Sequence, residues 1–313
     1  MVSLRQHQFP STAAWLSTLA IMAIYLLATA LCIGLRSEHV LITVLFLTLY
    51  FASDYTRKLA VALLPFIIFA VSYDWMRLCP NYTVNAIDVK GLHDLELSLF
   101  GMHDGDKLVI PGAYFYQHHV AVADFLSGIF YLCWVPVPIA FGLYLFVSKS
   151  RKMYLHFSIA FLLINLIGFA GYYIHPAAPP WYTILYGFDP IINTPGNTAG
   201  LARFDSMTGL HIFSSIYGRN ANVFAAVPSL HASYMVVTLW YAVKNRCKPF
   251  TIALFSIIMV GIWCTAVYSA HHYIIDVLLG IACALIGILL LEKGLMRISW
   301  FKKFIDKYFN FIR

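Results

Sequence analysis

Long apolar runs, with the charge gathered between them, constrain this chain more than any other feature. A helix needs roughly 20 mostly apolar residues to cross the hydrocarbon core of a bilayer. Only helices and closed barrels satisfy their backbone there. Eight runs stand out: Trp15–Leu35, His39–Ser53, Leu59–Leu78, Val120–Val147, Tyr154–Ile174, Pro228–Val243, Phe250–Tyr268 and Tyr273–Leu291. His39–Ser53 is short for a span, and Pro136 and Pro138 predict a kink within Val120–Val147. Hydrophobic residues make up 61% of the chain and charged residues 11%, against ~25% charged in a soluble domain. No polar stretch is long enough to form a separate soluble domain. The expected fold is therefore all-α, a polytopic membrane helical bundle of about eight transmembrane helices.

Basic residues orient such a bundle, because they favour the cytoplasmic side. With the N-terminus inside, 15 of the 21 Lys and Arg fall on the inner side, Arg5 among them. The six outside are Arg36, Arg77, Lys90, Lys107, Arg203 and Arg219. Both termini are then cytoplasmic. The net charge of +7 follows from this topology and needs no nucleic-acid partner. Residues 1–295 read as one transmembrane catalytic domain. In residues 296–313, Trp300, Phe301, Phe304, Ile305, Tyr308 and Ile312 share one side and Lys302, Lys303 and Lys307 lie elsewhere. That pattern predicts an amphipathic cytoplasmic tail helix. The six cysteines show no CxxC and no metal-like spacing, and read as packing residues. No internal repeat supports an inverted-repeat transporter.

Of the 14 acidic residues, all but Asp54, Glu292 and Asp306 fall on the outer side. Three outer segments carry histidines at span ends. In Pro228-Ser229-Leu230-His231, a span begins, and a helix N-terminus suits an anion. In Ser269-Ala270-His271-His272-Tyr273-Ile274-Ile275-Asp276, one span ends and the next begins. His272 and Asp276 are four apart and share a helix face, so the carboxylate can fix the imidazole tautomer and raise its basicity. His175-Pro176-Ala177-Ala178-Pro179-Pro180-Trp181 follows another span. Ionisable groups at membrane spans cost several kcal/mol and usually mark function. Two histidines and a carboxylate would also hold a divalent ion, a reading that insensitivity to chelators would remove. A transporter would want its charges near the midplane, whereas these sit at span ends.

At these residues the sequence resembles the type 2 phosphatidic acid phosphatase superfamily. Pro228-Ser229-Leu230-His231 matches its Pro-Ser-Gly-His motif, and Ser269 with His272-x3-Asp276 matches part of its last motif. The family's first, basic motif is not recognisable. Pro-Ser-Leu-His, His-His-Tyr-x2-Asp, the proline-rich segment to Trp181, and Gly200-Leu201-Ala202-Arg203-Phe204-Asp205 are similar to the inositol phosphorylceramide synthases of fungi. The similarity covers roughly residues 174–280. The chain is short for a fungal enzyme, which favours a bacterial homologue.

The resemblance implies a six-helix catalytic core and a nucleophilic His272, oriented by Asp276. His231 would protonate the leaving diacylglycerol and then deprotonate the acceptor. A phosphohistidine intermediate would form. Arg203 would stabilise phosphoryl charge, His175 and Trp181 would shape a head-group pocket, and Asp205, Ser229 and His271 join them as substrate-binding candidates. No cofactor and no metal is called for. The partners are two membrane lipids, a phospholipid donor and ceramide, with phosphatidylinositol the favoured donor. A monoester needs more cations than a diester, so the missing basic motif favours a diester donor over a lipid phosphate phosphatase, the alternative with the same triad. The location implied is the bacterial inner membrane with a periplasmic site, or a Golgi membrane with a luminal one in a eukaryote. Asn81-Tyr82-Thr83 forms a glycosylation sequon on the outer side.

Overall fold

The computed structural model describes residues 11–313; Arg5, counted above on the inner side, lies outside the described residues. The described residues fold into a helical bundle with one small hairpin. The chain runs through α1 (Thr12–Cys32), α2 (Ser37–Ala52), α3 (Asp54–Ala62) and α4 (Leu64–Trp75). An outer-side segment follows, with α5 (Gly91–Phe100), the antiparallel strands β1 (Met102–Asp104) and β2 (Lys107–Val109), and α6 (Pro111–Gln117). Then come α7 (Ala121–Leu132), α8 (Pro136–Tyr144), α9 (Arg151–Ile174) and the short α10 (Pro180–Tyr186), α11 (Ala202–Thr208) and α12 (Ile212–Tyr217). The chain closes with α13 (Leu230–Lys244), α14 (Pro249–Tyr268), α15 (Ile274–Leu289) and α16 (Ser299–Ile312).

All eight apolar runs become helical, with unequal lengths. Four helices are long and apolar enough to cross a membrane alone, and up to six spans result if each bent pair counts as one. One bent pair is residues 54–78, with an angle of 44° at Leu63 between α3 and α4; the other is residues 121–149, bent by 43° where Pro136 opens α8. Proline lacks the N–H needed to continue the preceding helix, which accounts for that second break. Ser37–Ala52 has 16 residues and Leu230–Lys244 has 15, so the eight expected spans come down to four to six on length and composition.

The packing core lies where α9, α13 and α15 meet α4, α7 and α14. Helix α13 is enclosed on most sides, burying Ala232, Tyr234, Met235, Val237, Tyr241 and Ala242. By contrast α1 exposes Leu16, Ile21, Ile24, Leu27 and Leu31, the pattern of a lipid-facing helix. The tail forms α16, yet its apolar face divides. Ile305 and Ile312 are buried, the Tyr308 hydroxyl donates to the Val61 carbonyl (2.6 Å), and Arg151 Nη1 donates to the Ile312 and Arg313 carbonyls. Trp300, Phe304 and Phe311 stay exposed.

The outer segment is laced to the bundle by its polar side chains. Both amide hydrogens of Asn81 are used, on the Tyr172 and Phe224 carbonyls (2.8 and 2.7 Å), and the side chain is fully buried. The sequon asparagine is thus a structural post, closed to glycosylation in the folded chain. Asp88 exchanges backbone hydrogen bonds with Pro176 and Ala178 (2.7 and 2.9 Å).

Candidate active site

The site forms where α13 and α15 begin. The Ser229 hydroxyl accepts the Ala232 N–H (3.4 Å) and so caps α13, while the Ser229 N–H donates to the Asp276 carbonyl in the first turn of α15 (3.0 Å). The Ser233 hydroxyl donates to the Gly280 carbonyl (2.7 Å). Gly280 permits this approach, because a Cβ there would stand 2.1 Å from the Ser229 carbonyl oxygen. A third element steadies the junction. Glu96 of α5, fully buried, accepts the Ile274 and Ile275 N–H groups (2.8 and 3.2 Å). It thereby covers two donors that a helix start leaves free. Burial pushes the Glu96 carboxyl above the usual carboxylate range.

The crossing brings two histidines and an aspartate into line. Nδ1 of His231 lies 3.0 Å from Nε2 of His272, and Nδ1 of His272 lies 3.3 Å from Oδ2 of Asp276. The Tyr273 N–H donates to the same Oδ2 (2.9 Å), and Asp276 is fully buried. Asp276 therefore accepts from His272 Nδ1–H, which leaves Nε2 as the unprotonated nitrogen facing His231. A ring nitrogen so prepared can act as a nucleophile, and its partner can carry a proton.

A cavity of about 170 Å³ opens beside them, lined by His231, His271 and His272. Its inner part is aromatic: Tyr234, one turn along α13 from His231, Phe69, one turn before Tyr73 in α4, and Trp134 and Phe169. Its other part is polar, with Tyr73, Tyr217, Arg219, Asn220 and Asn222. Arg219 also pairs with Glu38 of α2, and Asp74 gathers His39 (2.7 Å), Arg77 (3.1 Å) and Arg36. Ion pairs thus tie α2 and α4 to the loop that borders the cavity.

The substrate-binding candidates divide. Trp181 and His271 line the cavity. His175 does not: half exposed, it turns outward to Asp88 (3.2 Å). Nor does Asp205, whose carboxylate accepts the Phe213 and Ser214 N–H groups (3.1 and 2.8 Å) at the start of α12. Ser229 is buried behind the site as a helix cap. Arg203 is held by Asp124 (2.9 Å) between the Tyr116 and Tyr268 rings, outside the cavity lining; its Nη2 is buried without a partner. Sequence reasoning did not find Tyr217, Asn220 or Asn222. Their only signal is an Asn-rich loop, which has no period to read. Among the described residues, no group of three or more His, Cys, Asp or Glu is arranged to hold a metal ion.

Span ends that set a Pro-Ser-x-His histidine against a His-x3-Asp pair identify the class: the chain belongs to the PAP2 superfamily, whose family model matches residues 108–290. The match extends well beyond the motif-bearing residues 174–280. Among individual proteins, the chain is 66% identical over 304 residues to the phosphoinositol dihydroceramide synthase of Bacteroides thetaiotaomicron, covering 97% of this chain and all of that protein. It is 33% identical over 118 residues to the inositol phosphorylceramide synthase catalytic subunit AUR1 of Saccharomyces cerevisiae, covering 37% of this chain and 29% of that protein. The inositol phosphorylceramide synthase of Candida albicans is 26% identical over 208 residues, 62% of this chain and 40% of that protein. No solved structure matches the chain significantly.

Proposed function

We propose that this integral membrane protein transfers phosphoinositol from phosphatidylinositol to the primary hydroxyl of dihydroceramide or ceramide and releases diacylglycerol. The observation that carries this reading is the end-to-end 66% identity with a phosphoinositol dihydroceramide synthase. The cavity supports it. Arg219 is the one Lys or Arg among its lining residues, which suits the single charge of a diester better than the two charges of a monoester. A lateral lipid substrate also fits a cavity whose inner part is aromatic.

In the first step, Nε2 of His272 attacks phosphorus and the P–O bond to diacylglycerol breaks. His231, entering this step as the imidazolium, gives one proton to the leaving oxygen and is left neutral. Asp276, accepting from Nδ1–H, stabilises the ring as it becomes cationic. In the second step, His231 takes the proton of the sphingoid hydroxyl, that oxygen attacks phosphorus, and the P–N bond breaks. His272 is restored, and every proton is accounted for. The excess of basic residues at the other ends of the spans supports a site on the non-cytoplasmic face, with both termini cytoplasmic. The 1–295 unit then carries all the chemistry, and the 296–313 helix rests against the cytoplasmic end.

Purified protein in detergent, given labelled dihydroceramide and one donor at a time, tests the reading. Phosphatidylinositol is expected to give a phosphorylated sphingolipid, while phosphatidylethanolamine and phosphatidylcholine give at least tenfold less. Product from the other donors at equal rate, or phosphate release from phosphatidic acid without any sphingolipid product, would contradict it.

A further inference from the structure

Two buried hydrogen-bonding atoms in the cavity wall have no partner in the protein, and their chemistry is complementary. The first is Nδ2 of Asn222. The amide is turned by its own loop: Oδ1 accepts the Phe224 N–H (3.1 Å), which leaves Nδ2 as the free end, a donor. The loop itself is braced, since Asn220 Oδ1 accepts from the Tyr73 hydroxyl (2.6 Å) and from the Asn222 N–H (3.1 Å). The second atom is Nε2 of His271, whose side chain is 5% exposed. The Ser269 hydroxyl hydrogen is spent on the Thr265 carbonyl (2.7 Å), so the Ser269 oxygen accepts from His271 Nδ1–H (3.1 Å). Nε2 is then a bare acceptor. Burial and the neighbouring His272 push His271 down to about 3, outweighing the Ser269 and Asn197 backbone groups that favour the proton, so the ring is neutral at working pH and this acceptor persists.

An unsatisfied buried polar group costs about 1–3 kcal/mol, and water that satisfies it in the free protein is displaced without loss only by a group that repeats its bonds. A ligand that satisfies both atoms must both accept and donate. A choline head group does neither at its quaternary nitrogen. An ethanolamine ammonium donates only. A polyol hydroxyl does both. We propose that Asn222 and His271 select the head group of the donor, Asn222 Nδ2 donating to one hydroxyl oxygen of a cyclic polyol and His271 Nε2 accepting from a hydroxyl hydrogen. Tyr73 and Asn220 hold the Asn222 amide in place. This rests on the transfer reading above and adds to it the atoms that choose the polyol.

The test is steady-state transfer from phosphatidylinositol, with phosphatidylmethanol, the same diester without a polyol, as competitor. Asn222→Asp keeps the acceptor for Phe224 and removes the donor; His271→Leu removes the acceptor. Each is expected to raise KM for phosphatidylinositol about tenfold while the inhibition constant of phosphatidylmethanol moves less than about twofold. His271→Gln, which can again present an oxygen near the Nε2 position, is expected to recover most of the affinity. KM values that stay at the wild-type level, or KM and inhibition constant rising together, would overturn the assignment of these two residues. Absence of any phosphoinositol product from the wild-type protein would instead overturn the functional reading on which the assignment stands.

Discussion

His271 and His272 are adjacent, yet the fold gives them different surroundings. His272 meets a carboxylate at one nitrogen and His231 at the other. His271 meets a serine hydroxyl, and burial lowers it to about 3. A free imidazole titrates near ~6.5. Between those values the unfolded chain binds a proton at His271 that the native chain refuses, so native stability is full above ~6.5 and falls as the pH drops below it. Thermal midpoints in detergent at pH 7.5 and pH 5 should therefore show a larger acid loss for the wild type than for His271→Gln. Equal losses in the two proteins would contradict the buried neutral ring. The contact of His231, His272 and Asp276 was legible in the sequence, because all three sit at span ends on one membrane side and His272 and Asp276 are one helical turn apart. The outward turn of His175 was not, since it depends on Asp88, a residue 87 positions earlier in the chain. Asp205 resembles a binding carboxylate in its motif and is consumed by the first N–H groups of α12.

Helix crossings set the distance between the histidines. His231 belongs to α13 and His272 precedes α15, and the two helices meet where Ser229 and Ser233 face Gly280. The only way to add a side chain at Gly280 is to part the backbones, because the nearest atom is a carbonyl oxygen. Gly280→Ala should cost about 1–3 kcal/mol by overpacking and lower turnover at least tenfold, as the His231–His272 distance opens. Thermal midpoints and turnover measured side by side check this; a variant with both at wild-type values would show that the crossing does not set the site. Apolar length made the long helices legible, α9, α14 and α15 above all. The break at Leu63 has a proline signal, as at Pro136, that is passed over when Leu59–Leu78 is read as one run: Pro65, in the first turn of α4, has no N–H for the Val61 carbonyl, which accepts from the Tyr308 hydroxyl instead. The division of the α16 face was hidden, because a helical wheel shows which residues share a side but not which of them the bundle covers.

Across the whole molecule, polar groups collect at the two ends of the bundle. One end holds the histidines and Asp276. The other joins Glu292 to His156 (3.0 Å), Lys244 (2.7 Å) and Tyr241 (2.7 Å), linking α9, α13 and the end of α15. Between them the described residues are mostly apolar, as a bilayer-spanning core requires. The sequence showed this segregation as charge counts, whereas the pairing across helices depends on the packed bundle. Membership of the PAP2 superfamily and the likeness to a phosphoinositol dihydroceramide synthase support the proposed chemistry, in which His272 would carry the head group between two lipids. The measurement that tests this most directly uses phosphatidylinositol labelled in the inositol ring and no acceptor. Wild-type protein should acquire acid-labile label on His272, located by mass spectrometry, and pass it to dihydroceramide on addition; His272→Ala should acquire none and form no product. Phosphoinositol dihydroceramide made by the His272→Ala protein would contradict the account.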